Sequence, residues 1–446
     1  MRRQFLLVLA LVFILISPAK AAEALDPYAF EVAKACYPDS LCYHVLREIN
    51  DSYVDPVDIK KLAEIYKAKG MKAVFDELDA HSVYVTREER IKREAHDADQ
   101  KGPFGGVGLP VREVNKEIVV AEEPDDNTPA SQADIREGDV ISAVNGKKVS
   151  GMSLNDVVSL IRGQVGTEVT LTLRREERKG EPIEIVKTLK RAQIKVENVV
   201  LKQFGEFAHI KLGEFENGAA KKINEVYSAL SNVKGLVLDL RGNLGGLLHE
   251  ANKVSALFLD PSKLIEKITQ RHDEEEHFSF HYVLGSDRIK TPLVVLVDAA
   301  SASSSEIVAA AIQDNERGVI IGMPTFGKAL VQTRYGDTQG DDWSQILNGD
   351  YFSLTTGRIY RPSGRSLQGK GVLPDFVITK KDGEDLDRIL KEQLESGRQE
   401  KSLEKHIKGE EEGKWTKEEQ DKVKLLKKDR QLQFALEILK IISNQK

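Results

Sequence analysis

Three corners in this 446-residue chain, each after a buried strand, carry side chains suited to acyl transfer. The first is Arg241-Gly242-Asn243-Leu244-Gly245-Gly246, after an apolar run over residues 235–240. The second is Ser301-Ala302-Ser303-Ser304-Ser305-Glu306, after the run 293–297. The third is Thr325-Phe326-Gly327-Lys328, after the run 319–322. In α/β sheets, reacting groups gather at the carboxyl ends of strands. A hydroxyl at the first turn of a helix sits among unpaired backbone N–H groups, donors able to hold an oxyanion. Gly245 and Gly246 let a second stretch of backbone approach a substrate closely. A serine nucleophile also needs a base, and a lysine serves only as the neutral amine. Lowering an ammonium pKa from about 10.4 to about 7.5 costs about 4 kcal/mol. Phe326, Leu330 and Val331 supply apolar neighbours for Lys328 consistent with such burial. Gln332 follows four residues on; if Lys328 opens a helical turn, Gln332 shares its face and can hold the amine.

Each feature has a plainer reading. The serines taken alone read better as helix caps. The glycine corner resembles a phosphate-binding loop but lacks the Lys-Ser/Thr that follows one. A Ser-His-Asp arrangement would take its base from His249, while His272, His277 and His281 read as members of an acidic, exposed loop.

Strands that alternate with helices from about residue 196 predict a layered α/β core. Before it, residues 103–175 read as a compact unit. Asn145-Gly146 marks a tight hairpin, and Ser153 with Asp156 caps a helix whose buried face is Leu154, Val157, Val158 and Ile161. Residues 23–93 carry helical spacing, as in Leu46, Ile49 and Tyr53. Beyond residue 382 the chain is dense in Lys and Glu and reads as solvated helix. Leu432, Ala435, Leu436 and Leu439 form an apolar stripe expected to pack back on the body.

The termini bear on compartment. Arg2 and Arg3 precede an apolar run over residues 5–16, then Pro18 and the small-x-small triplet Ala19-Lys20-Ala21. That is the build of a secretory signal cut after Ala21, the alternative being an uncleaved membrane anchor. The chain is therefore expected outside the cytoplasm, periplasmic or otherwise, and membrane-associated if the signal is retained. The two cysteines, Cys36 and Cys42, flank a Pro-Asp-Ser turn and are a candidate disulfide in such a compartment. Their spacing makes a poor metal site, and no metal or cofactor is expected. A formal charge of −6 gives no reason to expect nucleic acid as a partner.

Several of these stretches together resemble the carboxyl-terminal processing, or tail-specific, serine peptidases. The resemblance rests on residues 235–246, 301–306 and 325–328 with Gln332. It extends to Leu354–Arg358, Pro362–Gly371 and the run from Asp79 to Tyr84. It implies a mixed α/β peptidase core of crotonase/ClpP-like architecture. The implied domains are a signal peptide (1–21), an N-terminal helical region (22–102), a PDZ domain (103–192), the core (193–381) and a charged helical C-terminal region (382–446). The family's nucleophile falls on Ser303, its general base on Lys328 and its orienting glutamine on Gln332. Oxyanion donors fall on the backbone of Ser303, Gly245 and Gly246. A carboxylate-binding loop falls on Gly106, Val107, Gly108 and Leu109. Ala299-Ala300, Leu244, Ser304 and Met323-Pro324 depart from the family's usual residues, and none removes a catalytic group.

The implied activity is endoproteolysis near protein C-termini, with apolar substrate tails read by the PDZ domain. The alternatives are a non-catalytic PDZ adaptor and, more remotely, a crotonase-like acyl-CoA enzyme. Arg162, at the end of the PDZ helix, is a candidate regulatory contact or simply a helix-terminal charge. An activating adaptor protein and a homo-oligomer are further candidate partners; the apolar stripes at both ends fit the latter or packing on the chain's own body.

Overall fold

The computed structural model describes residue 36, residues 40–378 apart from 102–103, 115, 122–123, 125–127, 177–181, 195–196, 273–274, 285–287 and 338–341, and then 405 and 431–444. The expected signal peptide and most of the charged C-terminal region lie outside the described residues. The chain divides into two compact units, residues 88–197 and the rest. Among the described residues no helix is long and apolar enough to cross a membrane.

The chain enters through three helices, α1 (Leu41–Ser52), α2 (Ile59–Lys69) and α3 (Met71–Glu77), and a short strand β1 (Val83–Val85). Ser40 and Asp58 cap the first two through their side chains, each accepting a backbone N–H of the first turn. Val45, Leu46 and Ile49 lie on the buried face of α1, and Tyr53 is buried just past its end, as their spacing predicts. Cys36 and Cys42, both buried, are joined as a disulfide with Cα atoms 5.6 Å apart.

The 88–197 unit follows. Helix α4 (Arg87–Lys101) leads to β2 (Phe104–Gly106), β3 (Val111–Val114), β4 (Glu117–Val120), β5 (Val140–Val144) and β6 (Lys147–Lys148). Helix α5 (Leu154–Ile161) precedes β7 (Glu168–Arg175), β8 (Ile183–Lys190) and β9 (Ala192–Ile194). Strands β3-β4-β5-β7-β8 form one sheet, with β6 turned back on β5, and β2 pairs with β9. Asn145 and Gly146 both take positive φ, 49° and 74°, at the β5–β6 hairpin, the conformation their side chains permit. Ser153 Oγ accepts the Asp156 N–H, and Val157 and Ile161 are buried on α5.

The remaining unit resumes with β10 (Val199–Phe204), β11 (Phe207–Leu212), α6 (Ala219–Ser228) and β12 (Gly235–Asp239). Helix α7 (Leu248–Ala256), the hairpin β13 (Leu264–His272) and β14 (Glu275–Tyr282), and β15 (Leu293–Val297) come next. Then follow α8 (Ser304–Asp314), β16 (Val319–Gly322), β17 (Leu330–Tyr335), β18 (Tyr351–Tyr360), β19 (Phe376–Val377) and α9 (Gln431–Asn444). Strands β10-β11-β12-β15-β16-β19 form a sheet that is parallel from β11 onward. Every residue of β12 and β15 is buried, as parallel strands covered on both faces require. One face packs on residues of α6, α7 and α8. The other is covered by α9, whose Ala435 and Leu439 are fully buried, so the apolar stripe does pack back on the body. A second sheet runs β1-β18-β13-β14, with β17 also on β18. The N-terminal helices share a core with this sheet through Phe75, Tyr84, Phe352 and Leu354.

Two local expectations are corrected. His272, His277 and His281 stand on the β13–β14 hairpin rather than in a loop. Strand β14, which carries His277 and His281, is marked by the alternation Phe278, Phe280, Tyr282, which dense charge obscures. Lys328 does not open a helical turn: it precedes β17, and Gln332 is a strand residue beside a bulge at Val331/Gln332. Pairing with β18 decides that conformation, and no local signal announces it.

Candidate active site

The three corners follow β12, β15 and β16, neighbouring strands of the parallel sheet, at their carboxyl ends. Backbone bonds lace them together. Asn243 O accepts the Ala302 N–H at 3.1 Å and the Ser305 hydroxyl at 2.9 Å, and Phe326 N–H donates to Ser301 O at 3.0 Å. Ser301 Oγ donates to Leu240 O at 2.8 Å and Ser304 Oγ to Gly246 O at 2.9 Å. These serines hold the corners in place. Ser303, half-buried, is the one left at the helix entrance.

Ser303 stands at the N-cap of α8 with φ 54° and ψ −112°. An L-residue is strained there. A nucleophile on a sharp strand-to-helix turn takes such a strained conformation, which thrusts its side chain out of the turn. Gly245 lies directly against it. A Cβ on Gly245 would fall 2.8 Å from Ala302 O and 2.9 Å from Ser303 Cβ, and its φ is 109°. Only glycine fits that position.

Glu306, which the sequence showed only as part of the serine corner, ties the second corner to the third. It is fully buried. Its Oε2 accepts the N–H of Ser303 at 2.8 Å and of Lys328 at 2.9 Å. Its Oε1 accepts the Thr325 hydroxyl at 2.6 Å and the Gly327 N–H at 2.7 Å. Burial pushes its carboxyl up to about 7, against the opposing pull of these four donors. The Ser-x-x-Glu spacing is a capping-box signal and could have revealed the bond to Ser303. The bonds to the third corner depend on the fold.

Two of the three amides expected as oxyanion donors are committed elsewhere. Ser303 N–H goes to Glu306, and Gly245 N–H goes to Asn243 Oδ1 at 2.9 Å. Capping explains the first, a two-residue side-chain turn the second. Among the described residues the N–H groups of Gly246 and Ser304 have no acceptor. Ser304 N lies 3.1 Å from where a Gly245 Cβ would stand.

Lys328 is half-buried, with its backbone bonded to Glu306. The Pro362–Gly371 stretch closes over its corner: Gly369 N–H donates to Gly327 O at 2.8 Å and Ala329 N–H to Gln368 Oε1 at 2.7 Å. Gln332 Nε2 donates to Thr355 Oγ1 at 3.4 Å. His249, the alternative base, is engaged with Asn217 at 3.0 Å and lies half exposed. Among the described residues no cluster of three or more His, Cys, Asp or Glu could hold a metal ion.

In the 88–197 unit, Val107 is buried in the core, while Gly108 takes φ 69° with Thr128 where its Cβ would be. The N–H groups of Val107, Gly108 and Leu109 have no acceptor among the described residues. Arg162 caps the C-terminus of α5, its N–H donating to Val158 O at 2.9 Å.

Comparison with known proteins bears on this arrangement. Residues 206–378 match the model of peptidase family S41, and residues 120–175 match a PDZ domain. A carboxy-terminal-processing protease of Bartonella bacilliformis is 35% identical over 344 residues, covering 75% of this chain and 73% of its own. The chain belongs to peptidase family S41. A CtpA-like serine protease of Staphylococcus aureus is 32% identical over 75% of this chain, which spans 64% of that relative's length. An S41 protease structure from Bacteroides fragilis, 16% identical, shares the fold with a TM-score of 0.51 over 77% of this chain and 91% of its own. This S41 member is a serine peptidase with a PDZ domain, of the C-terminal processing kind, and the mixed α/β core fits that membership.

Proposed function

We propose that this S41 peptidase is an exported endopeptidase with a Ser303–Lys328 dyad that cuts proteins near their C-termini. The observation that carries the reading is Ser303 itself, strained at φ 54° on a helix N-cap and tied through Glu306 to the backbone of Lys328. Ser303 Oγ attacks the substrate carbonyl carbon while its proton passes to the neutral Lys328 amine. The carbonyl oxygen, now negative, takes hydrogen bonds from the N–H groups of Ser304 and Gly246. Collapse breaks the C–N bond, and Lys328 returns the proton to the leaving amine. Water, deprotonated by the same lysine, then releases the acyl group from Ser303. Gln332 holds the amine through this cycle.

The PDZ loop Gly106–Leu109, whose Val107, Gly108 and Leu109 amides have no acceptor among the described residues, suits a substrate's terminal carboxylate, and strand addition beside it suits an apolar tail. Arg162, an activating adaptor and self-association are proposed regulatory elements. Export rests on the charged-apolar-small order of residues 2–21.

The test is cleavage of a partly unfolded protein with an apolar C-terminus by wild type, Ser303→Ala, Lys328→Ala and Arg162→Ala. Loss of about 1,000-fold or more in the first two variants is expected, since nucleophile and base act as a unit. Equal cleavage by wild type and Ser303→Ala would sink the dyad. Unchanged turnover in Arg162→Ala would remove that residue's regulatory role.

A further inference from the structure

The run Asp79–Tyr84 belongs to the family likeness yet has no part in the chemistry described so far. Asp79 and Ser82 are buried, and so is Thr355 on β18. Asp79 Oδ1 accepts the N–H groups of His81 at 2.8 Å and Ser82 at 3.1 Å. The same oxygen accepts the Thr355 hydroxyl at 3.1 Å, and Oδ2 accepts the Ser82 hydroxyl. Thr355 N–H donates to Ser82 Oγ at 3.0 Å. Gln332 pairs with Thr355 across β17 and β18 and gives its Nε2 proton to Thr355 Oγ1.

The direction of every bond follows from the inventory of donors. A carboxylate surrounded by N–H and O–H groups only accepts. Ser82 and Thr355 each have one hydroxyl proton, and each gives it to Asp79. Thr355 Oγ1 therefore has only lone pairs left for Gln332, and Gln332 must meet them with its NH2 end. An amide whose two ends are otherwise interchangeable is fixed in one orientation. Its Oε1 then faces away from Thr355 as an acceptor.

We propose that Asp79, Ser82 and Thr355 are positioning residues that set the Gln332 amide so that Oε1, not the NH2 group, meets the Lys328 amine. The inference rests on the Ser303–Lys328–Gln332 reading above. Oε1 takes one amine N–H and leaves the nitrogen lone pair for the Ser303 hydroxyl. An NH2 group turned toward the lysine would compete for that lone pair. The N-terminal helices thereby contribute to the site from a distance: β1 pairs with β18, Val83 opposite Ser353, and Val54 N–H donates to Thr355 O at 2.9 Å.

The test measures kcat, KM and melting temperature across the neutral and alkaline range for Thr355→Val, Thr355→Ser and Asp79→Asn in the full chain. Thr355→Val keeps the shape but removes the hydroxyl; kcat should fall about 10- to 100-fold with KM within about twofold. Thr355→Ser restores the hydroxyl and should recover most of the loss. Asp79→Asn must keep its oxygen where the His81 and Ser82 N–H groups point, so its NH2 turns to Ser82 Oγ. The Ser82 proton then goes to Thr355 Oγ1, 3.3 Å away, where it competes with the Gln332 NH2 and loosens the amide. The kcat of this variant should fall too, and the rising limb of kcat against pH should move to lower pH, because the amine loses an acceptor that favours its ammonium form. A stably folded Thr355→Val with wild-type kcat overturns the proposal. So does a Thr355→Ser as slow as the valine variant, or an Asp79→Asn limb left in place. If Thr355→Val does not fold, the asparagine limb decides. Failure of the dyad reading would look different, with Ser303→Ala as fast as wild type.

Discussion

Glu306 is where the nucleophile and the base meet at the level of the backbone. Its four donors need an ionised carboxylate, yet burial holds its carboxyl at about 7. A carboxyl raised above its unfolded value is more protonated in the fold. The cost of burying its charge is therefore full above about 7 and fades as pH falls toward the ordinary glutamate value. Activity runs the other way. Protonated Glu306 carries a hydrogen where it must accept one, so its hold on Ser303 and Lys328 loosens below about 7. Lys328 must also lose a proton to act as base, so two ionisations work on the same side. In wild type, log kcat should fall with a slope approaching about two as the medium becomes acidic. Glu306→Gln keeps one acceptor oxygen and titrates nothing. It should give a plateau about 10- to 100-fold lower and a limb of slope about one. Single-turnover acylation against pH reads both quantities, and an unchanged slope in the glutamine variant would assign the second proton elsewhere.

Elements whose character is local were readable from the sequence. The continuous apolar runs of β12 and β15 announce strands buried on both faces, and Asn145-Gly146 announces its hairpin. The stripe Ala435, Leu439 announces a helix that must cover something. What the sequence hid depends on distant partners. β17 is a strand because β18 lies beside it, and the Lys328–Gln332 spacing alone suggested a helical turn. The strain at Ser303 and the reach of Glu306 to Thr325, Gly327 and Lys328 exist only once three corners meet at one sheet edge. Helix α9 offers the test at this scale. Leu439 seals the sheet over Gly235, where a Cβ would fall 3.0 Å from Leu439 Cδ2. Gln431 anchors the helix start, donating to Ile378 O and accepting from Arg241. Leu439→Ala should cost about 2–5 kcal/mol through a cavity against β12, seen as a lower urea midpoint, while kcat of the folded enzyme stays near wild type.

For the whole molecule, the question is where it works. Residues 2–21 have the order of a secretory signal, and a disulfide between Cys36 and Cys42 belongs in an oxidising compartment. The Cys36–Cys42 bond closes a loop with a sequence separation of 6, worth about 2 kcal/mol by loop entropy. Both cysteines sit in the core shared by the N-terminal helices and the β18 sheet. Loosening them would therefore be felt near Phe352 and Leu354, on the same strand as Thr355. Full-length protein made in a bacterial host should be recovered outside the cytoplasm with Ala22 as its first residue. Its two thiols should resist alkylation until a reductant is added. The same chain started at residue 22 and kept in the cytoplasm should alkylate at both cysteines and melt a few degrees lower. A full-length product that keeps residues 1–21 in the membrane fraction would make the segment an anchor. Free thiols in the exported protein would separate the disulfide from the compartment argument.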